Sequence, residues 1–363
     1  MKMNKVLALC LSPDQGGLEL YVIKLVNYYH SIGKNIPVAC LKDSYIAQNV
    51  NSQKINCYSQ GFFKKISNFL LIRRFVIDNN LEIIHVSWAR DLLISLALKM
   101  FIQRDIKIVY YRQMRIPRPK KYFYHRFIYN KIDSLLVITD KLKNEACKYL
   151  PIENNKIHKL TYGIDVPPDN TLINKSEFFS KNNMNPKIFS IAIFSRIEEQ
   201  KGHHLALNCI IKSRYEIQLF IIGHSMDARY KDMLEKIAKE NNVTSKLKFL
   251  DFVRSPMSYM PCFDLVILPT YEETFGLIIA EAMLMRVPVI GSNAGGVPEI
   301  ITNDHNGLLF ETKNQDDLLE KIHLIIENKK DREIFVKNAY KFSREQYNYS
   351  NHFSKLEQII DSI

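Results

Sequence analysis

Apolar residues fall into short unbroken runs separated by amphipathic stretches, the pattern of buried parallel strands alternating with helices. In the first half the runs are 5–11, 83–87, 107–111 and 134–139; in the second they are 188–194, 218–222, 248–252, Leu265–Leu268 and 288–291. Helical periodicity follows them, at 18–29 after the first run and at 275–284 after Leu265–Leu268. Such alternation predicts an α/β protein with parallel sheets covered by helices on both faces. Residues 166–186 are rich in Pro, Asn, Ser and Lys and lack periodicity, so a linker is expected there, between domains at 1–168 and 169–348. Beyond Asp316 the pattern is helical to Ile363. A chain of 363 residues, 47% hydrophobic and 24% charged, can bury two cores of ordinary size.

The stretch 269–301 reads PTYEETFGLIIAEAMLMRVPVIGSNAGGVPEII and sets two carboxylates around the start of an apolar helix. Unpaired amides at such a start, expected at Phe275, Gly276 and Leu277, suit a phosphate, and Gly276 has no side chain to hold a ligand away. Glu273 in the loop and Glu281 two turns into the helix stand up to ~12 Å apart along the axis, enough to span from one sugar ring across a pyrophosphate to another. Taken alone, two glutamates fit a solvated helix surface better. The segment 188–207 changes that, because a buried-type strand leads into Arg196, a polar turn and Lys201-Gly202. Open parallel sheets bind ligands at the C-terminal ends of their strands, and two cations there can neutralise a diphosphate leaving group without a metal. No Asp-x-Asp pair occurs anywhere in the chain.

Arg196-x4-Lys201-Gly202, then Glu273-x7-Glu281 with Phe275-Gly276-Leu277 after the first glutamate, resemble the signature of glycosyltransferase family 4, the group 1 retaining enzymes. Ile221-Ile222-Gly223 and the GGVPEI segment from Gly295 to Ile300 match as well. The resemblance implies a GT-B fold: two Rossmann-like domains with parallel sheets facing across a cleft, acceptor on the N-terminal domain and nucleotide-sugar donor on the C-terminal one. It also implies a final helix, about 349–363, packed back on the first domain.

By the same resemblance Arg196 and Lys201 bind the diphosphate and Glu273 the donor sugar, and Glu281 holds the ribose. The amides of Phe275, Gly276 and Leu277, Gly223, and the backbone near Phe252 and Val253 complete the donor site; Phe252 is equally compatible with plain core. Gly16-Gly17 ahead of Glu19 is similar to the family's Gly-Gly-x-Glu loop, where Gly17 would let the backbone approach the diphosphate, although a lone Gly-Gly also marks ordinary turns. Many members carry a histidine at the end of an N-domain strand where this chain offers Tyr111 or Arg112. Glu19, His85 and Arg112 are expected on the acceptor side, with a satisfied core histidine the alternative for His85. Retaining members use a same-face reaction in which the leaving phosphate helps deprotonate the acceptor, so no side-chain base, metal or cofactor beyond the nucleotide-sugar is implied. The alternatives are an epimerase or hydrolase acting on the same donor and a non-catalytic relative. Neither Gly16-Gly17 nor Gly223 completes Gly-x-Gly-x-x-Gly, which counts against a dinucleotide-dependent dehydrogenase.

Charge is unevenly shared. Residues 1–170 carry 26 basic against 13 acidic side chains, net +13, so against +12 for the whole chain the remainder is close to neutral. The segment 104–131 holds nine basic residues against Asp105 alone, interleaved with tyrosines and phenylalanines, and 62–75 sets Phe62, Phe63 and Phe69 beside Lys64, Lys65, Arg73 and Arg74. A solvated basic face accounts for this composition, and so does docking on an anionic membrane surface, where each base near the surface contributes ~1 kcal/mol. Nucleic acid lacks a recognition motif here. The expected acceptor is therefore a glycan or a lipid-linked acceptor, as in cell-surface polysaccharide or lipopolysaccharide synthesis. Six cysteines without Cys-x-x-Cys, mostly inside apolar runs, fit buried thiols in a reducing compartment. The apolar start is too short to span a bilayer and has Asp14 where a signal cleavage site would fall, so a cytoplasmic enzyme, peripheral on the inner membrane face, is expected.

Overall fold

The computed structural model describes residues 2–58 and 62–363, leaving out the side chain of Phe62. The chain divides into two compact units, Met1–Thr161 with Ser350–Ile363, and Tyr162–Tyr349.

The first unit is built on seven strands: β1 (Val6–Cys10), β2 (Val38–Leu41), β3 (Lys54–Cys57), β4 (Ile83–Val86), β5 (Lys107–Arg112), β6 (Ser134–Val137) and β7 (Ile157–Lys159). They lie in the order β3-β2-β1-β4-β5-β6-β7, all parallel, with Val6 opposite Ile83 and Ala8 opposite Val38. The chain winds outward from β1 to β3, then returns to the other side of β1 as β4. The β1/β4 boundary is thus the switch point, where the C-terminal ends of parallel strands open a crevice. Every residue of β1, β2, β4 and β6 is buried, as a sheet covered on both faces requires. Four short strands carry weak sequence signals. The four-residue run of β2 and the three-residue β7 are brief, and β3 is an edge strand that buries only Ile55 and Cys57.

Residues 350–361 of the last helix, Tyr349–Asp361, pack on this first sheet's helices. Phe353 stacks on Tyr28 at 4.1 Å and accepts, through its carbonyl, from Tyr29 OH at 3.3 Å; Glu357 pairs with Lys34 at 2.6 Å.

The second unit holds β8 (Phe189–Phe194), β9 (Ile217–Ile222), β10 (Leu247–Leu250), β11 (Leu265–Leu268), β12 (Val289–Ser292) and β13 (Leu308–Phe310), in the order β10-β9-β8-β11-β12-β13 and again parallel. Its switch point is the β8/β11 boundary. The three residues of β13 are the fourth weak signal.

Residues 166–186 correct the linker expectation. They belong to the second unit, and Lys175–Lys181 is a helix capped by Asn174, whose side chain accepts from Glu177 N–H at 3.1 Å. Phe178 and Phe179 are buried against Phe220 and Phe263, so two aromatics inside a polar stretch pin it to the core. The division between units accordingly falls after Thr161 rather than at 168. The six cysteines are free, and all but Cys147 are buried.

Candidate functional site

At the C-terminal edge of the second sheet, four loops close on one another. The loop after β8 is tied to the loop after β9, where Ser195 N–H donates to Ile222 O at 3.1 Å and Ile197 N–H to His224 O at 2.8 Å. Arg196 therefore stands beside Gly223. Its side chain, largely exposed, pairs with Glu198 at 3.0 Å. The turn before Lys201 is tied to the loop after β11: Tyr271 N–H donates to Gln200 O at 2.9 Å, and the buried Thr270 hydroxyl lies 2.9 Å from Glu272 O and 3.3 Å from Gln200 O. Gly202 makes this approach possible. It has φ +68, and a Cβ there would lie 2.1 Å from Pro269 O, so a larger residue would clash with backbone as well as being strained. Gly295, at φ +63, is subject to the same limit, since its Cβ would lie 1.7 Å from Glu273 O. Next to it Gly296 N–H donates to Glu273 O at 2.9 Å, which ties the turn after β12 to the same loop.

These ties bring Lys201 and Glu273 together. Lys201 Nζ donates to Glu273 Oε2 at 2.9 Å, with side chains 15% and 24% exposed, and Glu273 Oε1 accepts from Thr274 N–H at 3.1 Å. An ammonium has three donors and a carboxylate about four acceptor positions, so each retains capacity for a ligand. The helix Leu277–Leu284 has Gly276, with φ +98, as its N-cap and begins two residues later than the periodicity suggests. Phe275 lies before the helix with its ring buried between Tyr162 and Tyr347, so only its backbone is placed to serve a ligand. Glu281 is the one charged residue of this apolar helix and is buried. Charged side chains are rarely fully buried without a reason.

Phe252 and Val253 lie beyond β10, which ends at Leu250 rather than at 252. Phe252 is 50% exposed, so it is not core; its ring stacks on His224 at 4.9 Å and 13°. Gly223 N–H donates to Leu250 O at 3.0 Å, which keeps the ends of β9 and β10 adjacent.

Two polar side chains behind the motif carry no sequence signal of their own. His203, fully buried, shares a hydrogen bond with Ser195 Oγ at 3.0 Å, and burial, then the charges of His204 and Lys201, push its pKa down to about 3. His204 bridges Tyr230 OH at 2.8 Å and Tyr271 OH at 2.7 Å. Their signal was position alone: they directly follow Lys201-Gly202 on the first turn of the helix His203–Lys212.

The remaining expected residues lie in the first unit. Gly16 is the N-cap of the helix Gly17–Ser31, and Glu19, buried, accepts from Gly16 N–H at 2.8 Å, so its carboxylate closes the helix start. Gly17 is the first helical residue, and a Cβ there would meet nothing within 4 Å, so its lack of a side chain is not demanded by the fold. His85, in β4, is buried with neither ring nitrogen hydrogen-bonded among the described residues, and burial pushes its pKa down to about 4. It is a core histidine, though not a satisfied one, set between the rings of Tyr21 and Tyr111. Arg112, also buried, donates to Tyr110 OH at 3.2 Å and to Arg115 O at 2.6 Å.

Two parallel, doubly covered sheets, each open at a switch point, are the architecture of a GT-B glycosyltransferase. The family model "Glycosyltransferase Family 4" matches residues 15–166 and "Glycosyl transferases group 1" matches 174–342; the chain belongs to this family of glycosyltransferases. It is 29% identical over 226 residues to an uncharacterized glycosyltransferase of Methanocaldococcus jannaschii, a match that covers 60% of this chain and 57% of that protein. It is 25% identical over 284 residues to the capsular polysaccharide biosynthesis glycosyltransferase CapM of Staphylococcus aureus, covering 74% of each. Among solved structures, Anabaena HepE in complex with UDP aligns with a TM-score of 0.86 at 17% identity, over 99% of this chain and 100% of that one, a likeness of fold.

Proposed function

We propose that the protein is a retaining, metal-independent glycosyltransferase that moves a sugar from a nucleotide-diphosphate sugar to a glycan or lipid-linked acceptor in cell-surface polysaccharide synthesis. The observation that carries this reading is the Lys201–Glu273 pair at 2.9 Å, seated where four strand-end loops and the start of the Leu277–Leu284 helix meet. In it, Lys201 and Arg196 offset the charge that develops on the departing diphosphate, and positioned charge of this kind is typically the largest contribution to catalysis. The amides at Phe275, Gly276 and Leu277 hold phosphate oxygens and the sugar. Glu273 accepts from donor-sugar hydroxyls with the lone pairs that Lys201 and Thr274 leave, and Glu281 takes the ribose. Gly223, Phe252 and Val253 lie along the base, and the half-exposed Phe252 ring supports that role by offering a face at the strand ends. Departing phosphate takes the acceptor proton on the same face as the leaving group, so retention needs no separate base. CapM, whose name places it in capsular polysaccharide biosynthesis, supports the choice of pathway.

The test is a thermal-shift panel of UDP, GDP and ADP with their sugars, because a ligand that binds the folded state raises its apparent stability. At least one nucleotide should raise the melting temperature of the wild type and fail to do so with Lys201→Ala. No shift with any of them would remove the donor site from the reading.

The acceptor is proposed to be reached from an anionic membrane surface. The basic, aromatic segment 62–75 lies on the helix Phe62–Asp78, which neighbours Leu92–Phe101 and through it the helix Phe123–Tyr129, where the segment 104–131 contributes Phe123, Tyr124, Arg126 and Phe127. Phe69 meets Phe101 at 6.1 Å, and Arg73 donates to Phe101 O at 3.2 Å. Phe63, Leu70, Phe101, Tyr122 and Phe123 are all more than half exposed on this face, among Lys64, Lys65, Arg74, Lys121 and Arg126. Apolar side chains for the interface and cations for anionic headgroups suit peripheral docking. Among the described residues no helix is long and apolar enough to cross a membrane. Wild-type protein should sediment with vesicles containing phosphatidylglycerol at low salt and release at high salt, and Phe63→Ser/Phe123→Ser should weaken that binding; equal recovery with neutral vesicles would count against it.

A further inference from the structure

Asp91 sits at the switch point of the first unit's sheet, at the end of the turn Ala89–Asp91 that follows β4. It is 3% exposed. One carboxylate oxygen, Oδ2, accepts from Leu11 N–H, just past β1, at 2.8 Å, so the group ties together the strand ends that frame the crevice. The other oxygen has no hydrogen-bond partner, and no lysine or arginine pairs with the group, among the described residues. Burial pushes its pKa up to about 7, and the Leu11 hydrogen bond is the only influence that opposes the shift.

Its surroundings are polar and incompletely matched. Ser87, the residue after β4, is buried with no partner for its hydroxyl. Tyr110, on β5, is within electrostatic reach of both Asp91 and Arg112. Arg112 spends its terminal nitrogens on Tyr110 and Arg115, and its Nε is buried without a partner. An unpaired carboxylate is expensive to bury, and buried polar atoms without partners are uncommon in native folds. The clamp on Leu11 N–H uses one carboxyl oxygen and leaves the other for a ligand. A sugar hydroxyl suits it, because a hydroxyl can donate to the carboxylate and accept from the neutral acid, and it brings no charge of its own to the crevice.

We propose that the C-terminal edge of β1, β4 and β5 is a saccharide subsite in which Asp91 accepts hydrogen bonds from hydroxyls of the acceptor sugar. The assignment rests on the proposed reading of the protein as a sugar-transferring enzyme whose first unit receives the acceptor. It adds Asp91 as a residue that selects the acceptor.

The test uses the full chain and methyl glycosides of glucose, galactose, mannose, rhamnose and N-acetylglucosamine as probes, followed by saturation-transfer NMR. Thermal shifts with UDP, GDP and ADP are recorded on the same samples. Wild type should saturate the ring protons of at least one glycoside, and Asp91→Asn should lower that signal at least fivefold while its nucleotide shift stays as in wild type. The asparagine oxygen still accepts from Leu11 N–H, so the tie between β1 and β4 is kept. Absence of saturation for every glycoside, or equal saturation in the two proteins, overturns the subsite. An Asp91→Asn protein that does not fold also overturns it, since the carboxylate would then be a structural requirement. A wild type that shifts with no nucleotide defeats the donor reading instead and leaves the glycoside result to stand by itself.

Discussion

In the second unit the charges of the candidate site are paired and partly open, Lys201 with Glu273 at 2.9 Å and Arg196 with Glu198 at 3.0 Å. In the first unit the ionisable groups near the switch point are buried and poorly matched: Asp91 has one backbone partner, and His85 has none among the described residues. Both sheets are parallel and both open at a switch point, so architecture does not cause the difference. It follows from the ligands proposed for the two sites. A diphosphate brings charge, which exposed cations can meet and release, whereas a neutral sugar is recognised by hydrogen bonds that gain strength where water is scarce.

The largest effect expected from this contrast is on turnover. Lys201→Ala should lower kcat about 10²–10³-fold, the usual cost of deleting one positioned charge that stabilises a transition state. Its stability should fall by less than its activity: with side chains 15% and 24% exposed the pair is worth more than the ~1 kcal/mol of an exposed one, but Glu273 keeps Thr274 N–H as a partner. Sugar transfer from a donor identified in the nucleotide panel, measured alongside urea unfolding, checks both halves of the statement. A loss of stability as large as the loss of activity would mean that the pair holds the fold rather than the donor.

Asp91→Asn should act in the opposite sense, on stability more than on nucleotide binding. The folded-state pKa of about 7 lies above the ordinary 3.8, so the folded protein binds more protons between these values. Asp91 therefore favours folding least above pH 7, and stability falls as pH rises from 4 to 7. Removing the ionisation should stabilise the protein at pH 8 by up to ~4 kcal/mol, at about 1.4 kcal/mol per pKa unit, and by little at pH 4.5. Urea unfolding at the two pH values reads this directly. An asparagine variant less stable than wild type at pH 8 would show that the carboxylate is matched after all.

The same contrast governs what the sequence made legible. The donor half could be read because its parts are contiguous: Arg196 to Gly202 spans one turn, Glu273 to Glu281 one loop and helix start, and a periodicity of 3.6 orders the latter. Even there the helix began two residues later than the apolar pattern suggests, because Gly276 adopts a left-handed conformation before the first turn. Asp91 could not be found this way. Its significance comes from Leu11, eighty positions earlier, and from the pairing of β1 with β4, and nothing local distinguishes an aspartate ahead of an apolar helix from an ordinary N-terminal acid. At Glu19 the motif suggests a ligand contact, and the structure adds a local task that the motif does not announce, since one carboxylate oxygen accepts from Gly16 N–H. Residues 166–186 were misjudged because composition averages over the stretch, while Phe178 and Phe179 alone fix its place in the core.

Acid should loosen the first unit through two histidines. His85 and His352 are both pushed down to about 4, chiefly by burial. His352 donates from Nδ1 to Thr161 O at 2.5 Å and shares a hydrogen bond between Nε2 and Tyr21 OH at 3.3 Å, and burial favours the neutral ring. A folded pKa below the ordinary 6.5 gives stability that is complete above pH 6.5 and is lost as pH falls toward 4. Each histidine should contribute up to ~3 kcal/mol over that window. Hydrogen exchange at pH 7 and pH 5 should show protection falling in Ser350–Ile363 and in the strands beside His85, and His85→Phe should flatten part of the loss. The second unit has one comparable group, His203, so an equal or larger loss there would contradict the difference between the units.

The smallest effect concerns the tie between the loops that carry Lys201 and Glu273. Thr270 is fully buried, and its hydroxyl donates to one of two carbonyls, Glu272 O at 2.9 Å or Gln200 O at 3.3 Å. Thr270→Val keeps the shape and removes the donor, so it should cost about 1 kcal/mol, the net value of one internal hydrogen bond plus part of the penalty for an unmatched carbonyl. Tyr271 N–H still donates to Gln200 O, so the loops should stay in register and the structural loss should remain small. Catalysis is more demanding than folding, because a shift of a few tenths of an ångström in Lys201 weakens its hold on a developing charge. The valine variant should therefore lose several-fold in kcat with KM for the donor nearly unchanged, and Thr270→Ser should restore both. A change confined to KM would place Thr270 at donor binding itself, and would make the two loops independent supports of the site rather than one coupled frame.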